Sequence, residues 1–220
     1  MILERGLLAA VADGIGGMQG GRLAAEIAIN TLRDAFRQFG LSGDIPEQLC
    51  GAARSASAAV YEELRDEGGC TLAVCMIYGE KLYMLSIGDS FIYLRRNGSL
   101  YRLNRDQNIL HARYLEALRS GTTDRSLAEG DERKAELSQF IGMESLDDID
   151  YFRRPLPLLD GDVLIVCTNG AGGVLSKEEI FAALGKSSPG DMCSALERGI
   201  LEKELSEQDN YTALVIKCSY

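Results

Sequence analysis

Side chains that offer oxygen atoms recur where the predicted strands of this chain begin or end. Asp13, Asp89 and Asn169 each come shortly after a predicted strand, and Asp209 comes just before the last one. If that last strand runs antiparallel to the others, all four residues lie at one edge of the fold. Oxygen donors without histidine or cysteine select hard cations such as Mg²⁺ and Mn²⁺. Asp-Gly, Gly-Asp and Asn-Gly are also common turn sequences, and spacing alone leaves both interpretations open.

The rest of the residue inventory excludes several other kinds of site. The chain has one histidine, His111, so it cannot build a multi-histidine zinc centre. No serine and aspartate can be identified as partners of this histidine in a catalytic triad. The dinucleotide-binding pattern G-x-G-x-x-G fails at Gln19, and a phosphate-binding loop fails at Ile180. The six cysteines include no C-x-x-C pair and are predicted to be free, buried thiols.

Composition and charge narrow the class of protein further. The chain has 220 residues, of which 46% are hydrophobic, enough to bury a core. Its formal net charge of −10 argues against a nucleic-acid partner, because neutralising phosphates requires a basic face. No apolar run reaches the roughly 18 residues of a membrane span, and the first residues lack the features of a signal peptide. We therefore expect one domain over residues 1–220, located in the cytoplasm, that binds neither nucleic acid nor membrane.

Apolar periodicity divides the chain into strands and helices. Strands are predicted at residues 7–12, 71–78, 81–87, 91–95, 99–103, 149–155, 162–168 and 211–217. Helices are predicted from residue 21 onward and at residues 45–65, 177–184 and 191–205, with a polar, partly helical segment at 110–138. Runs of adjacent strands between pairs of helices indicate the α+β class with mainly antiparallel sheets. Two packed sheets with helices on both outer faces, a four-layer α-β-β-α sandwich, would use every element.

Four segments of the chain occur in the order found in one enzyme family. They are DGIGGMQGGRLAAEIA from residue 13, LSIGDSFIYLRRNGSLYRLNRDQN from residue 85, DVLIVCTNGAGGVLSKEEI from residue 162 and SEQDNYTALVI from residue 206. They resemble the D-G-x-G-G, G-D-S-R with L-T-x-D-H, S-D-G and D-N-x-T motifs of the metal-dependent protein phosphatases. This family comprises the PPM-type, or type 2C, serine/threonine phosphatases, with the sporulation stage II E phosphatases as a related branch. The resemblance extends from residue 7 to the C-terminus and implies the same β-sandwich flanked by helices.

The resemblance implies hydrolysis of phosphoserine and phosphothreonine in proteins. In the family, two Mn²⁺ or Mg²⁺ ions share a water, and the metal-bridged hydroxide attacks phosphorus in line. The positions that match the family's metal ligands are Asp13, the Gly14 carbonyl, Asp89, Asn169 and Asp209. Asp13 and Asp209 are the expected catalytic residues, whereas Asp89 matches a ligand of an additional, looser metal site. The implied partner is a phosphoprotein from a bacterial serine/threonine kinase system or an anti-sigma-factor antagonist, and the substrate-binding residues stay unassigned.

Three positions depart from the family's motifs. Asn169 replaces the aspartate of S-D-G, which keeps an oxygen donor but removes one negative charge and should weaken binding of a dication. Phe91 replaces the arginine of G-D-S-R, and Gln107 replaces the histidine of D-H. These departures support an alternative hypothesis, a catalytically impaired phosphatase-like domain that binds a phosphoprotein or a regulatory partner.

The N-terminal segment is a further departure. The family begins with a strand that bears a phosphate-binding arginine and an acidic residue that contacts metal through water. Only twelve residues precede Asp13, so we expect this strand to be missing. Glu4 and Arg5 are of the right residue types, but they lie within or beside the next strand and are not assigned those roles.

Two other features bear on substrate binding. Four arginines lie around the second predicted hairpin and either steer an anionic phosphopeptide or form a solvated face. They are Arg95, Arg96, Arg102 and Arg105. Residues 110–138 correspond in position to the variable flap region of the family, and their sequence identifies no substrate.

Overall fold

The computed structural model describes residues 2–3, 6–15, 20–40 and 43–220. Its strands are β1 (Ile2–Leu3), β2 (Gly6–Val11), β3 (Leu72–Tyr78), β4 (Lys81–Ile87), β5 (Phe91–Arg96), β6 (Ser99–Arg102), β7 (Asp150–Tyr151), β8 (Leu156–Pro157), β9 (Val163–Cys167) and β10 (Ala213–Lys217). Its helices are α1 (Gly21–Gln38), α2 (Ile45–Leu64), α3 (Ile109–Arg119), α4 (Ser126–Glu129), α5 (Asn169–Gly172), α6 (Lys177–Ala183) and α7 (Pro189–Leu201). No helix in these ranges is both long and apolar enough to cross a membrane.

The strands form two sheets in which every recorded pairing is antiparallel. The first sheet has the order β1-β2-β3-β4-β7, and β8 pairs with the end of β4 opposite to the one that pairs with β7. The second sheet has the order β10-β9-β5-β6. The predicted α+β class with mainly antiparallel sheets is confirmed. The short strand β1 pairs with β2 through Ile2 and Leu3. That residues 1–220 form one domain without the family's first strand stays a prediction.

Strand β3 shows how the layers follow from alternation of side chains. Successive side chains of a strand point to opposite faces of the sheet. Leu72, Val74 and Met76 pack in the cluster that includes α1 and α2. Ala73 and Cys75 instead pack against apolar side chains of the second sheet. Both faces of β3 are therefore buried, one under helices and one under the other sheet.

The second sheet repeats this arrangement on the opposite side. Val163, Ile165 and Cys167 of β9 pack with Leu196 and Ile200 of α7. The next residues along β9 belong to the core between the two sheets. Helices thus cover both outer faces, and the predicted four-layer α-β-β-α sandwich is confirmed.

Two predicted elements are wrong in their extent. Within the predicted strand at 149–155 only the two-residue strand β7 forms, and a second short strand, β8, follows it; the two pair with opposite ends of β4. The predicted helix at 191–205 is α7, which begins earlier because Ser188 caps it by accepting a hydrogen bond from the Asp191 N–H. It ends earlier as well, and Glu204 beyond it adopts a positive φ of 47°.

The thiols of the chain are free, as the sequence predicts. Five of them are buried, whereas Cys193 on α7 is exposed. Burial raises the pKa of Cys70, Cys75 and Cys167 to about 12, so these three stay protonated. They act as small apolar core residues.

Candidate active site

The four predicted oxygen donors lie at ends of strands that share one edge of the sandwich. Strands β2 and β4 are both antiparallel to β3, so the ends that lead to Asp13 and Asp89 point the same way. The end of β9, which leads to Asn169, is paired with the beginning of β10, which follows Asp209. The last strand is therefore antiparallel to its neighbour, which is the condition under which the sequence predicts a common edge.

Electrostatics place Asp13 among the other carboxylates. Partial burial raises the pKa of Asp13 to about 6, and the negative charges of Asp209 and Asp89 add to this rise. The backbone N–H of Asn169 donates to the Asp13 carboxylate and opposes the rise. Asp13 thus lies close to all three other predicted donors, and its neighbours disfavour its negative charge. A cation at this point would relieve that repulsion.

Backbone contacts hold the Asp13-Gly14 turn in place. The Asp13 N–H donates to Thr71 Oγ1 at 3.1 Å, and the Thr71 N–H donates to the Asp13 carbonyl at 2.8 Å. Thr71 Oγ1 also shares a hydrogen bond of 2.7 Å with Ser90 Oγ. A Cβ on Gly14 would lie 2.5 Å from the carbonyl group of Gly21, at the start of α1. Only glycine allows this turn to pack directly against the helix.

The Asn169 and Asp209 loops touch through another glycine. Asn169 begins the short helix α5, which the sequence analysis does not predict. A Cβ on Gly170 would lie 2.2 Å from the Asn210 carbonyl oxygen, so the two loops pack backbone against backbone. Gln208 Nε2 joins them, donating to the Gly170 carbonyl at 3.3 Å and the Asp209 carbonyl at 2.9 Å.

Two further charged side chains, Asp106 and Arg102, lie near Asp89. Burial is the main cause that raises the pKa of Asp89, and the nearby Asp106 raises it further. Arg102 opposes that shift; it pairs with Asp106 at 2.5 Å and lies 4.1 Å from the centre of the Phe91 ring. Phe91 stands where the family has its arginine, so Arg102 brings a guanidinium to this position from the neighbouring strand β6. Arg102 is one of the four arginines around the second hairpin, and Asp106 matches the aspartate of the family's D-H pair, but no sequence pattern predicted that the two would pair.

The arginines around the second hairpin do not form one free cationic face. Arg96 is paired with the buried Asp162 at 2.6 Å, and Arg105 donates to Asp148. Arg95 lies over the ring of a phenylalanine on α6. Most of this positive charge therefore has structural partners and is not available to steer an anionic peptide.

The donor set fits small hard cations that retain water. Across the described residues, no three side chains of His, Cys, Asp or Glu stand close enough to hold one ion. The carboxylates of Asp209 and Asp89 are instead both close enough to raise the pKa of Asp13. Mg²⁺, and Mn²⁺ with the same oxygen ligands, binds proteins through one or two carboxylates and keeps several waters. Glu4, Arg5 and residues 16–19 of the first motif lie outside the described residues.

A cleft of about 300 Å³ lies beside Asp106, between α3 and α4. His111 and Tyr114 of α3 line it together with Arg125 and Glu129. Within the part of the chain that the structure describes, the buried Nε2 of His111 has no hydrogen-bond partner.

Solved structures share this fold. The structure of the PPM Ser-Thr phosphatase MsPP from Mycobacterium smegmatis, in complex with cacodylate, is 26% identical and has a TM-score of 0.75. The match covers 96% of this chain and 87% of that one. The catalytic domain of the serine/threonine phosphatase PstP, in complex with 2 manganese ions, is 23% identical with a TM-score of 0.73. That match covers 94% of this chain and 85% of that one, and it shows the fold alone.

Sequence comparison identifies the family. The chain is 27% identical to the serine/threonine phosphatase stp of Listeria welshimeri over 178 residues, 77% of this chain and 68% of that protein. The family model described as protein phosphatase 2C matches residues 2–208. The chain therefore belongs to the protein phosphatase 2C family, the PPM-type serine/threonine protein phosphatases.

Proposed function

We propose that this chain hydrolyses phosphoserine and phosphothreonine in proteins with the help of divalent cations held at the edge that contains Asp13. The observation that supports this most strongly is the position of Asp13, partly buried and flanked by the charges of Asp209 and Asp89. A protein gains nothing in stability from such repulsion. A bound dication would offset this repulsion and could also bind a phosphate group, and carboxylates with raised pKa values are typical of functional sites.

The ligand roles follow from the family's motifs. Asp13 would contribute to both of two ions and the Gly14 carbonyl to one of them, and Asn169 and Asp209 would occupy the family's other carboxylate positions. Asp89 would serve a looser, additional ion. Bound Mn²⁺ or Mg²⁺ would supply a water of lowered pKa and positive charge for the phosphate oxygens. The Asn169 backbone N–H, which donates to Asp13, orients this carboxylate before any ion arrives.

The amide of Asn169 gives the site a distinct property. An amide oxygen can bind a cation, but it provides one negative charge fewer than the family's aspartate, so the affinity for dications should be lower. The alternative of a phosphatase-like binding module gains no support from the comparisons, because the matched proteins are named as phosphatases. We infer that the chain is an enzyme that requires a higher concentration of divalent metal than family members with aspartate at this position.

The substrate would be a phosphoprotein. We place it in a bacterial serine/threonine kinase system or among anti-sigma-factor antagonists, and the reaction in the cytoplasm. The cleft beside Asp106 offers room for residues that flank the phosphorylated side chain. Mg²⁺ and Mn²⁺ both accept the oxygen ligands present.

Phosphate release from a phosphothreonine peptide and the matching phosphotyrosine peptide tests this proposal. We expect wild type to release phosphate from the phosphothreonine peptide, and not from the phosphotyrosine peptide, in the presence of Mn²⁺ or Mg²⁺. This activity should be lost in EDTA. Asp209→Asn should strongly reduce the activity, because it removes a second negative charge from a site that already has an amide at Asn169, whereas Asp34→Asn, at an exposed position of α1, should retain it. Equal rates for wild type and Asp209→Asn, or activity in EDTA, would refute the proposed site.

A further inference from the structure

Buried polar side chains are concentrated around the connection between β4 and β5. Five of the eight that are buried among the described residues lie there, namely Thr71, Ser86, Ser90, Asn104 and Gln107. Burying a polar group is costly unless it is hydrogen-bonded. Their concentration at this connection, which bears Asp89, indicates that the backbone there must be held in a defined conformation.

Gln107 makes the most direct contacts with that connection. Its side-chain Oε1 accepts a hydrogen bond from the Gly88 N–H at 2.8 Å, and its backbone N–H donates to the Gly88 carbonyl at 3.1 Å. Its Nε2 donates to the Asp148 carbonyl at 2.6 Å, and the residue is 1% exposed. Gly88 has a φ of +96°, a conformation that non-glycine residues rarely adopt. Gln107 thus binds both backbone polar groups of the residue immediately before Asp89.

We propose that Gln107 is a positioning residue that fixes the Asp89 carboxylate for cation binding; this assignment rests on the proposed function. The conformation of Gly88 sets the direction in which the chain enters Asp89. Gln107 ties that conformation to the Asp148 segment on the other side. Gln107 acts on the backbone, because its Oε1 accepts from the Gly88 N–H and its Nε2 donates to the Asp148 carbonyl.

The other members of the polar cluster have different tasks. Thr71 and Ser90 support the Asp13 turn. Asn104 Oδ1 accepts from the Ile92 N–H at 2.8 Å and so holds the start of β5. Gln107 alone among these five residues is recorded with hydrogen bonds to Gly88. Substitution of Gln107 should therefore weaken binding of the additional cation at Asp89 and leave binding of the cations at Asp13 intact.

Mn²⁺ titration calorimetry of a double-mutant cycle tests this assignment. The variants are Asp89→Asn, Gln107→Met and the two combined, and Gln139→Met is the matched control. Gln139 Oε1 accepts from the Asp148 N–H at 3.3 Å, so the control loosens the same segment without touching Gly88. We expect Gln107→Met to weaken the binding step that Asp89→Asn removes by about 10- to 100-fold, the usual range for groups that orient metal ligands.

The cycle separates positioning from a general loss of structure. If Gln107 acts through Asp89, adding Gln107→Met to Asp89→Asn causes no further loss of Mn²⁺ affinity. Additive losses, or equal losses in Gln139→Met, would overturn the assignment. If Gln107→Met does not fold, Gln107→Asn, which keeps an uncharged amide but is too short to keep both side-chain hydrogen bonds, takes its place in the cycle and should weaken the same step. A wild type that binds no Mn²⁺ would refute the proposed function as well, whereas Mn²⁺ binding that is insensitive to Gln107 would refute this assignment alone.

Discussion

Substitution of Gly170 by alanine should separate the two loops that bring Asn169 and Asp209 together. The added Cβ would lie 2.2 Å from the Asn210 carbonyl oxygen, whereas ordinary contact begins at 3.4 Å. The loops must therefore move apart by about 1 Å, and a displacement of that size can cost about 100-fold in catalysis. Overpacking lowers the free energy of unfolding by about 1–3 kcal/mol. The better helix propensity of alanine in α5 offsets up to about 1 kcal/mol of this loss.

Two measurements on Gly170→Ala separate the effect on the site from the effect on stability. Urea denaturation should show a net loss of about 1–2 kcal/mol in the free energy of unfolding. Mn²⁺-dependent hydrolysis of p-nitrophenyl phosphate should fall by about 100-fold under conditions in which the variant is folded. Gly51→Ala is the control, because a Cβ at Gly51 in α2 meets nothing within 4 Å. A Gly170→Ala protein with the stability and activity of wild type would refute the close packing of these loops.

Three further predictions concern an ion pair, a pH dependence and the cleft. Arg96→Met should lower the free energy of unfolding by about 3–5 kcal/mol in urea, since it leaves the buried Asp162 carboxylate without its cation. The hydrogen bond from Lys203 lowers the pKa of Glu179 from 4.5 to about 2, so its stabilising effect is present above pH 4.5 and is lost as pH falls toward 2. Glu179→Gln should therefore flatten this part of the stability–pH curve. Tyr114→Ala in the cleft should raise KM for phosphopeptides and leave KM for p-nitrophenyl phosphate unchanged, because the small substrate has no flanking residues.

Each of these predictions has a matched control. Arg22→Met removes an exposed pair with Glu26 and should change the free energy of unfolding by less than about 1 kcal/mol; a similar loss in both arginine variants would contradict the first prediction. Lys203→Met removes the same hydrogen bond and should flatten the acid limb as Glu179→Gln does; an acid limb as steep as that of wild type in both variants would contradict the second prediction. Tyr101→Ala, at an exposed position on β6, should affect neither substrate, and a KM shift for p-nitrophenyl phosphate in Tyr114→Ala would contradict the role of the cleft.

The strands and their common edge were predictable because they depend on local patterns. Continuous or alternating apolar runs marked β3, β4 and β9, and Asn97-Gly98 marked the hairpin between β5 and β6, where both residues adopt positive φ. The common edge of the oxygen donors, such as Asp89 after β4 and Asn169 after β9, was predictable from the directions in which the strands run. Such signals lie within a few residues of each other, so one sequence suffices to detect them.

The contacts that complete the site depend on tertiary structure, and the sequence held no local sign of them. Gln107 was noticed only as a departure from a motif, yet in the fold it binds both polar groups of Gly88. Arg102 was noticed only as one of four arginines that either steer a phosphopeptide or form a solvated face, yet it lies over Phe91 and next to Asp106. The predicted strand at 149–155 was wrong because β7 and β8 pair with opposite ends of β4, and apolar spacing does not report where a partner strand lies.

The most direct test of the proposed site is Mn²⁺-dependent hydrolysis of p-nitrophenyl phosphate by wild type, Asp13→Ala and Asn169→Asp, measured side by side over a range of Mn²⁺ concentrations. We predict activity in wild type, none in Asp13→Ala, and half-maximal activation of Asn169→Asp at a lower Mn²⁺ concentration than wild type. Activity that survives in Asp13→Ala, or a wild type that stays inactive at every Mn²⁺ concentration, would contradict the proposal that this edge is a metal-dependent phosphatase site.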